Sequence, residues 1–201
     1  MATAPDQIAR LRAALSLPGM GSSDFDLSPD VKPLAGRKLR PAGVLMPFIE
    51  TQTGLELVLT KRSSALKHHP GQIAFPGGKR DELDTDITAT ALREAHEEIG
   101  LPPSNVEVLG QLPAHETVTG FTVTPVLGLV TESFTPIVEP GEVDEAFRVP
   151  FDHVTKLANF SQQGRYWQGQ MRWYETVPHG PYYIWGATAR MLRGLAERLV
   201  S

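Results

Sequence analysis

The sequence predicts a single-domain α/β fold of the α+β kind, built as a sandwich. Three observations carry that expectation. A chain of 201 residues with 41% hydrophobic and 21% charged content is long enough for one real core and short for two. Strand-like runs lie on both sides of a helical stretch at about 87–99. A second helical stretch at about 186–199 closes the chain.

Taken in order, Ile8, Leu11 and Leu15 recur at helical spacing and predict a short amphipathic helix that packs on the domain. Arg10 and Arg12 leave an organelle-targeting segment as the alternative. Residues 18–40 are rich in Gly, Ser, Asp and Pro and read as an irregular lead-in. Residues 1–40 are thus set apart from a domain over 41–201. Strands are expected at 43–49 and 56–60, joined by TQTGL as a hairpin. The apolar stretch QIAF at 72–75 runs into Pro76-Gly77-Gly78. After the polar loop KRDELDTD, a helix runs from Ile87 to Ile99, with Asp84, Thr85 or Asp86 as its cap. Gly100 stands at its C′ position, with Pro102 and Pro103 beyond. Further strands are expected at 106–112, 121–130, 165–175 and 182–185. The last helix gathers Ala189, Leu192, Leu195 and Leu199 on one side.

A formal net charge of −4 disfavours nonspecific nucleic-acid binding, so a phosphate-bearing substrate must meet local cations or a metal. The chain has no cysteine, which excludes disulfides, Cys-ligated zinc and thiol catalysis. That composition fits a reducing, cytoplasmic setting. No apolar run reaches the length of a membrane span, so a membrane is not expected as a partner.

The chemistry concentrates in the stretch from Leu92 to Gly100. At about 100° per residue, Glu94, Glu97 and Glu98 fall on one arc, and Leu92, Ala95 and Ile99 on another. Like charges at this spacing cost roughly a few tenths of a kcal/mol per pair. Hard divalent cations offset such repulsion, because Mg²⁺ and Mn²⁺ prefer carboxylate oxygens. Three glutamates on a helix are by themselves more often a solvated surface. The strand, the Gly77-Gly78 turn and the acidic loop just before them make the combination a compound signal. His96 is given no role.

The stretch GKRDELDTDITATALREAHEEIGL, Gly78 to Leu101, resembles the Nudix box, G-x5-E-x7-R-E-U-x-E-E-x-G-U with U apolar. Asp84 stands where the first glutamate belongs, and eight residues separate it from Arg93 instead of seven. Upstream, LVLTKRSSALKHHPGQIAFPGG at 57–78 is similar to the second motif of the coenzyme A pyrophosphatase subgroup, through Thr60, Arg62, Ser63, Leu66, His69, Gly71, Phe75, Pro76, Gly77 and Gly78. The resemblance implies a single-domain α/β/α sandwich with a mixed sheet. It implies hydrolysis of the diphosphate of coenzyme A or a derivative with Mg²⁺ or Mn²⁺. Products would be 4′-phosphopantetheine and adenosine 3′,5′-bisphosphate. It implies Glu94 and Glu98 as metal ligands and Glu97 as a further ligand or acid/base group. Arg93 would orient them, with Gly77 and Gly78 lining the site. A homodimer is also implied.

The basic cluster Lys61, Arg62, Lys67, His68 and His69, with Ser63, is a candidate substrate contact; Lys61 and Lys67 read equally well as exposed charges. For the general base, Glu139, Glu142, Glu145, His115 and Glu116 are candidates, and Glu142 is preferred. Tyr166, Trp167, Trp173 and Tyr174 read as core or dimer contacts rather than a base-stacking platform. Two alternatives stand beside coenzyme A. One is hydrolysis of ADP-ribose, NADH or a nucleoside triphosphate; the other is a non-catalytic nucleotide-binding regulator of the same fold.

Overall fold

The structure, a computed structural model, describes residues 3–28, 30–33, 36–167 and 169–200, with Trp167 described by its backbone alone. In chain order come α1 (Ala4–Ser16), β1 (Ser22–Ser23), β2 (Arg40–Thr51), β3 (Gly54–Arg62), β4 (Ile73–Ala74) and β5 (Gly77–Lys79). Then follow α2 (Ile87–Ile99), β6 (Val106–Gln111), β7 (His115–Glu116), β8 (Phe121–Val130) and β9 (Val143–Pro150). The chain ends with α3 (Phe151–Thr155), β10 (Ser161–Trp167), β11 (Gln170–Thr176) and α4 (Gly186–Leu199). Among the described residues no helix is long and apolar enough to cross a membrane.

Strands β1 to β9 form one mixed sheet, and β10 and β11 a separate antiparallel pair. The centre of the sheet is β2, which runs parallel to β8 along one side. Its other side is shared. Near the C-terminal end of β2, Phe48 to Thr51 pair with Leu57 to Gly54 of β3. Near its start, Ala42 to Val44 pair with Lys79 to Gly77 of β5. So β3 splays away from β2 toward β9 and β4, and β5 takes its place. That fork in the sheet is where the acidic helix lies.

Strand alternation separates two cores. Met46, Phe48, Leu57, Leu59 and Leu127 face the layer of α1, α3 and α4. Leu45, Ile49, Val58, Val126 and Val130 face Ala91, Ala95 and Ile99 of α2. Helices therefore cover both faces of a mixed sheet, as the sandwich expectation requires. Leu11 and Ala14 of α1 are buried in the first core, and Arg198 donates to the Ala14 and Leu17 carbonyls at 3.0 and 2.6 Å. Arg10 lies over the Phe151 ring and Arg12 pairs with Glu107, so both arginines are turned to the domain.

Helix α2 starts and stops where its local chemistry dictates. Of the three cap candidates, Asp86 takes the position, its carboxylate accepting the Ala89 N–H at 2.8 Å. At the other end Gly100 adopts φ +68°, and Gly100 and Leu101 donate to the carbonyls of His96 and Ala95. The helix rides tightly on β2 because Gly43 has no side chain; a Cβ there would meet the Ile87 carbonyl oxygen at 2.5 Å.

Three expectations need correction. The run 165–175 is two strands rather than one, turning at Gly169 with φ +79°. Residues 182–185 make only isolated bridges, Tyr182 to His179 and Trp185 to Thr176, because the chain turns back at Gly180 onto 176–179, at the end of β11. The strand β9 was not expected at all; its buried residues Val143, Phe147 and Val149 are interrupted by Asp144, Glu145 and Arg148, charges that masked the alternation.

Candidate active site

The three glutamates of α2 sit at three depths. Glu98 is 3% exposed, while the side chains of Glu94 and Glu97 are 16% and 55% exposed. Glu98 accepts the Gly77 N–H at 3.1 Å, which fastens the helix to the start of β5. Burial raises its pKa from 4.5 to about 8, and the negative charges of Glu94 and Glu142 add to the rise. The Gly77 N–H and the Arg62 charge pull the other way without winning. Burial also pushes Glu94 up, with Glu97 and Glu142 adding repulsion. Opposite Glu94 stands Gly78, where an added Cβ would lie 2.5 Å from the carboxylate. The second glycine of the turn is therefore what leaves room for Glu94.

Arg93 organises the rim. Its Nε and Nη2 donate to the two oxygens of Asp84, each at 3.0 Å. Its Nη1 donates to Glu94 at 3.0 Å and to Glu97 at 2.8 Å. Asp84 also accepts the Asp81 N–H and the Thr90 hydroxyl, each at 2.9 Å. The Arg93 contact above all holds the Asp84 carboxyl far below the usual carboxylate range. In the sequence Asp84 was legible as a departure from the box pattern and as a cap candidate. The structure makes it the anchor of Arg93.

The upstream cluster divides. Arg62, at the end of β3, lies close enough for its charge to act on both Glu98 and His69. Ser63 is buried; its N–H donates to the Glu142 carbonyl at 2.8 Å and its hydroxyl accepts the Ala65 N–H at 3.3 Å, so it shapes the turn. His69 takes φ +55°, and burial lowers its pKa. Lys61 lies beside a separate pocket with Gly71, Ile73 and Glu145.

The base candidates divide as well. Glu142 is exposed, yet its charge acts on Glu94 and Glu98. The Glu139 N–H donates to the Glu98 carbonyl at 3.0 Å. Glu145 accepts the Tyr182 hydroxyl at 2.5 Å. His115 is fully buried between Ser22 and Asp24, and Glu116 is paired with Arg37. Of the aromatic residues, Tyr166 and Trp173 are exposed, while Tyr174 packs edge-on against Trp185 at 5.1 Å. The side chain of Trp167 lies outside the described residues.

Among the described residues no three His, Asp or Glu side chains converge as a ready cation cage. Arg93 draws Glu94 and Glu97, and Gly77 draws Glu98. The donor set nonetheless fits a hard divalent cation. Glu94 and Glu98 offer oxygens only, both are desolvated, and the charge of Glu94 raises the pKa of Glu98 further. A cation there would relieve that strain, in competition with Arg93 for Glu94.

The buried acid has a measurable consequence. Glu98 binds its proton more tightly folded than unfolded between 4.5 and about 8. Its contribution to stability is full below that window and is lost as pH rises through it. In chelator, the melting temperature is expected to fall with rising pH more steeply for the wild type than for Glu98→Gln. Equal slopes in thermal scans across the window would show that Glu98 is not the buried acid described.

The comparisons agree with this geometry. The model of the NUDIX domain matches residues 39–168. The uncharacterized Nudix hydrolase NudL of Enterobacter sp. (strain 638) is 40% identical over 166 residues, covering 80% of this chain and 83% of its own. The protein of the same name from Escherichia fergusonii is 41% identical over the same shares. Among solved structures, the NUDIX domain of Shewanella oneidensis NrtR, crystallised with ADP ribose, aligns with a TM-score of 0.52 at 17% identity, over 85% of this chain and 95% of that one. A MutT/nudix family protein from Enterococcus faecalis gives 0.52 at 16% identity, over 86% and 66%. At such identities the structural likenesses speak for the fold. The matched model spans most of the chain and contains the whole acidic helix with its glycine turn, and the chain therefore belongs to the Nudix hydrolase family.

Proposed function

We propose that this Nudix hydrolase cleaves the diphosphate bond of coenzyme A or a close derivative, with Mg²⁺ or Mn²⁺, giving 4′-phosphopantetheine and adenosine 3′,5′-bisphosphate. The observation that carries the reading is the buried Glu98, held at the Gly77 N–H and felt by Glu94, Glu142 and Arg62 together. Carboxylate oxygens and a guanidinium near one fork of the sheet support a cation-and-diphosphate reading. The upstream motif at 57–78 supports coenzyme A among the substrates of the family.

Glu94 and Glu98 would hold the divalent ion, with Glu97 as a further ligand on the exposed rim. Bound there, the ion supplies charge neutralisation at the diphosphate and a more acidic water. Arg62, whose charge is felt at Glu98, binds the diphosphate. Gly77 and Gly78 let the backbone approach it closely. Glu142 takes the proton of the attacking water as its oxygen bonds to phosphorus and the bridging P–O bond breaks. Ser63 and His69 shape the loop that carries Arg62. Arg93 positions Glu94 and Glu97 and holds them through Asp84.

The test is hydrolysis of coenzyme A beside ADP-ribose, NADH and nucleoside triphosphates, with mass identification of both products. Coenzyme A is expected to yield the two named products, to fail in chelator and to recover with Mg²⁺ or Mn²⁺. Turnover of another substrate with coenzyme A untouched overturns the substrate. Full turnover in chelator overturns the ion.

A further inference from the structure

On the face of β3 turned away from α2 lies a pocket of about 330 Å³ that the reaction chemistry leaves unused. Its lining includes Lys61, Glu145, Tyr182, Tyr183 and Trp185. Alternation explains the division of labour along the strand. Leu57 and Leu59 face the α4 layer and Val58 faces α2, so Lys61 continues the first row. Its neighbour Arg62 acts on Glu98 on the other side. Two consecutive cations thus serve opposite faces of one sheet edge.

The pocket and the acidic site share that edge. Gly71 lines the pocket, and its N–H donates to the Arg62 carbonyl at 3.0 Å. Strand β4 pairs with β3 at Thr60 and Lys61, and its Ile73 lines the pocket as well. Lys61 and Arg62 are consecutive on β3, so the pocket and the acidic site lie beside the same end of that strand. Among the described residues Lys61 has no carboxylate within ion-pair distance. The acid of the lining, Glu145, accepts the Tyr182 hydroxyl instead, at 2.5 Å.

The rest of the wall is aromatic and preset. Tyr182 stacks on Phe147 with ring centres 3.5 Å apart. Trp185 meets Tyr174 edge-on at 5.1 Å and Tyr183 at 6.5 Å. The Tyr174 and Tyr183 hydroxyls lie 3.3 Å apart, which fixes both rings. Tyr183 remains 46% exposed, free to cover a flat ligand. An acyl chain or pantetheine arm has no use for a cation beside stacked rings, whereas a purine bearing a phosphate uses both. The volume, near the lower end of the roughly 300–1,000 Å³ of small-molecule sites, suits one nucleoside rather than a whole cofactor.

We propose that this pocket takes the adenosine 3′-phosphate end of the substrate, with Lys61 on the 3′-phosphate and Tyr183 and Trp185 against the adenine. It rests on the coenzyme A reading above. The probes are adenosine 3′,5′-bisphosphate and adenosine 5′-monophosphate, titrated calorimetrically onto the full chain. The wild type is expected to prefer the bisphosphate by about tenfold, the worth of one charge-assisted contact. Lys61→Met should erase that preference. Tyr183→Ala should weaken both ligands by a similar factor. In turnover, Lys61→Met should lower the kcat/KM ratio of coenzyme A over its 3′-dephospho form by the same factor. If the wild type hydrolyses coenzyme A and the preference survives in Lys61→Met, the pocket assignment falls and the substrate stands. If coenzyme A is left intact while a Lys61-dependent preference is present, the substrate falls and the pocket stands. A wild type with no preference overturns the pocket assignment outright.

Discussion

Replacing Glu98 by glutamine is expected to leave a folded protein with turnover reduced by about a thousandfold, the rate equivalent of roughly 4 kcal/mol of transition-state stabilisation. The two halves of that result have separate causes. With its pKa raised to about 8, Glu98 in the metal-free chain carries a proton at neutral pH. An amide of the same shape is then a close copy of the resting side chain, and its oxygen can still accept the Gly77 N–H. Nothing in the packing is lost, and above neutral pH the variant avoids a buried charge. What glutamine cannot supply is the negative charge for a cation beside the diphosphate. Rate measurements at saturating Mg²⁺, paired with thermal scans, check both halves. A variant retaining a tenth of wild-type turnover would remove Glu98 from the ligand set. A variant that loses activity because it unfolds would show that the carboxylate is structural.

The depth of that carboxylate is what the sequence could not supply. A helical projection gives the direction of Glu94, Glu97 and Glu98 but not where the sheet ends. Glu97 stands past the edge at 55% exposure, while Glu98 lies beneath the fork between β3 and β5. The helix itself was legible because its signals are local: a cap among Asp84, Thr85 and Asp86, an apolar arc of Leu92, Ala95 and Ile99, and Gly100 just past its end. The hairpin β10–β11 was misread for the opposite reason. Its turn interrupts an otherwise strand-like run at a single glycine, Gly169. Strand β9 escaped because Asp144 and Glu145 sit between its buried residues, and acids in a strand are read as loop. Glu142 was picked as one of several acids in a loop outside the box. Its closeness to Glu94 and Glu98 depends on β9 pairing with β3, a contact between distant segments that no local pattern encodes. The pocket at Lys61 needs the same long-range pairing plus the return of 181–185 onto the end of β11, and in the sequence its rings read only as part of a strand at 182–185.

Asp84→Ala is expected to destabilise the fold by about 3 kcal/mol, because it breaks a paired charge inside a structured loop. The carboxylate is 6% exposed and receives four hydrogen bonds, from Arg93 Nε and Nη2, the Asp81 N–H and the Thr90 hydroxyl. Removing it leaves the fully buried Thr90 hydroxyl with only the Asp86 carbonyl, at 3.3 Å. It also leaves a guanidinium, 27% exposed, without its bidentate partner. The pH dependence has a definite sign. The folded pKa of Asp84 lies below its ordinary 3.8, so its stabilisation is present at neutral pH and is lost only as pH falls through the depressed folded value. Urea unfolding should therefore give the same gap between wild type and variant at about pH 7 and about pH 5. A gap under about 1 kcal/mol, or one that closes by about pH 5, would mean the pair is a surface ion pair of the ordinary kind. The variant should also need more Mg²⁺ for half-maximal activity. Arg93 already donates to Glu94 and Glu97 through Nη1, and freed from Asp84 its whole fork can turn to them. It would then compete with the cation for the same oxygens. An unaltered Mg²⁺ requirement would mean that Asp84 holds the loop without governing where Arg93 points.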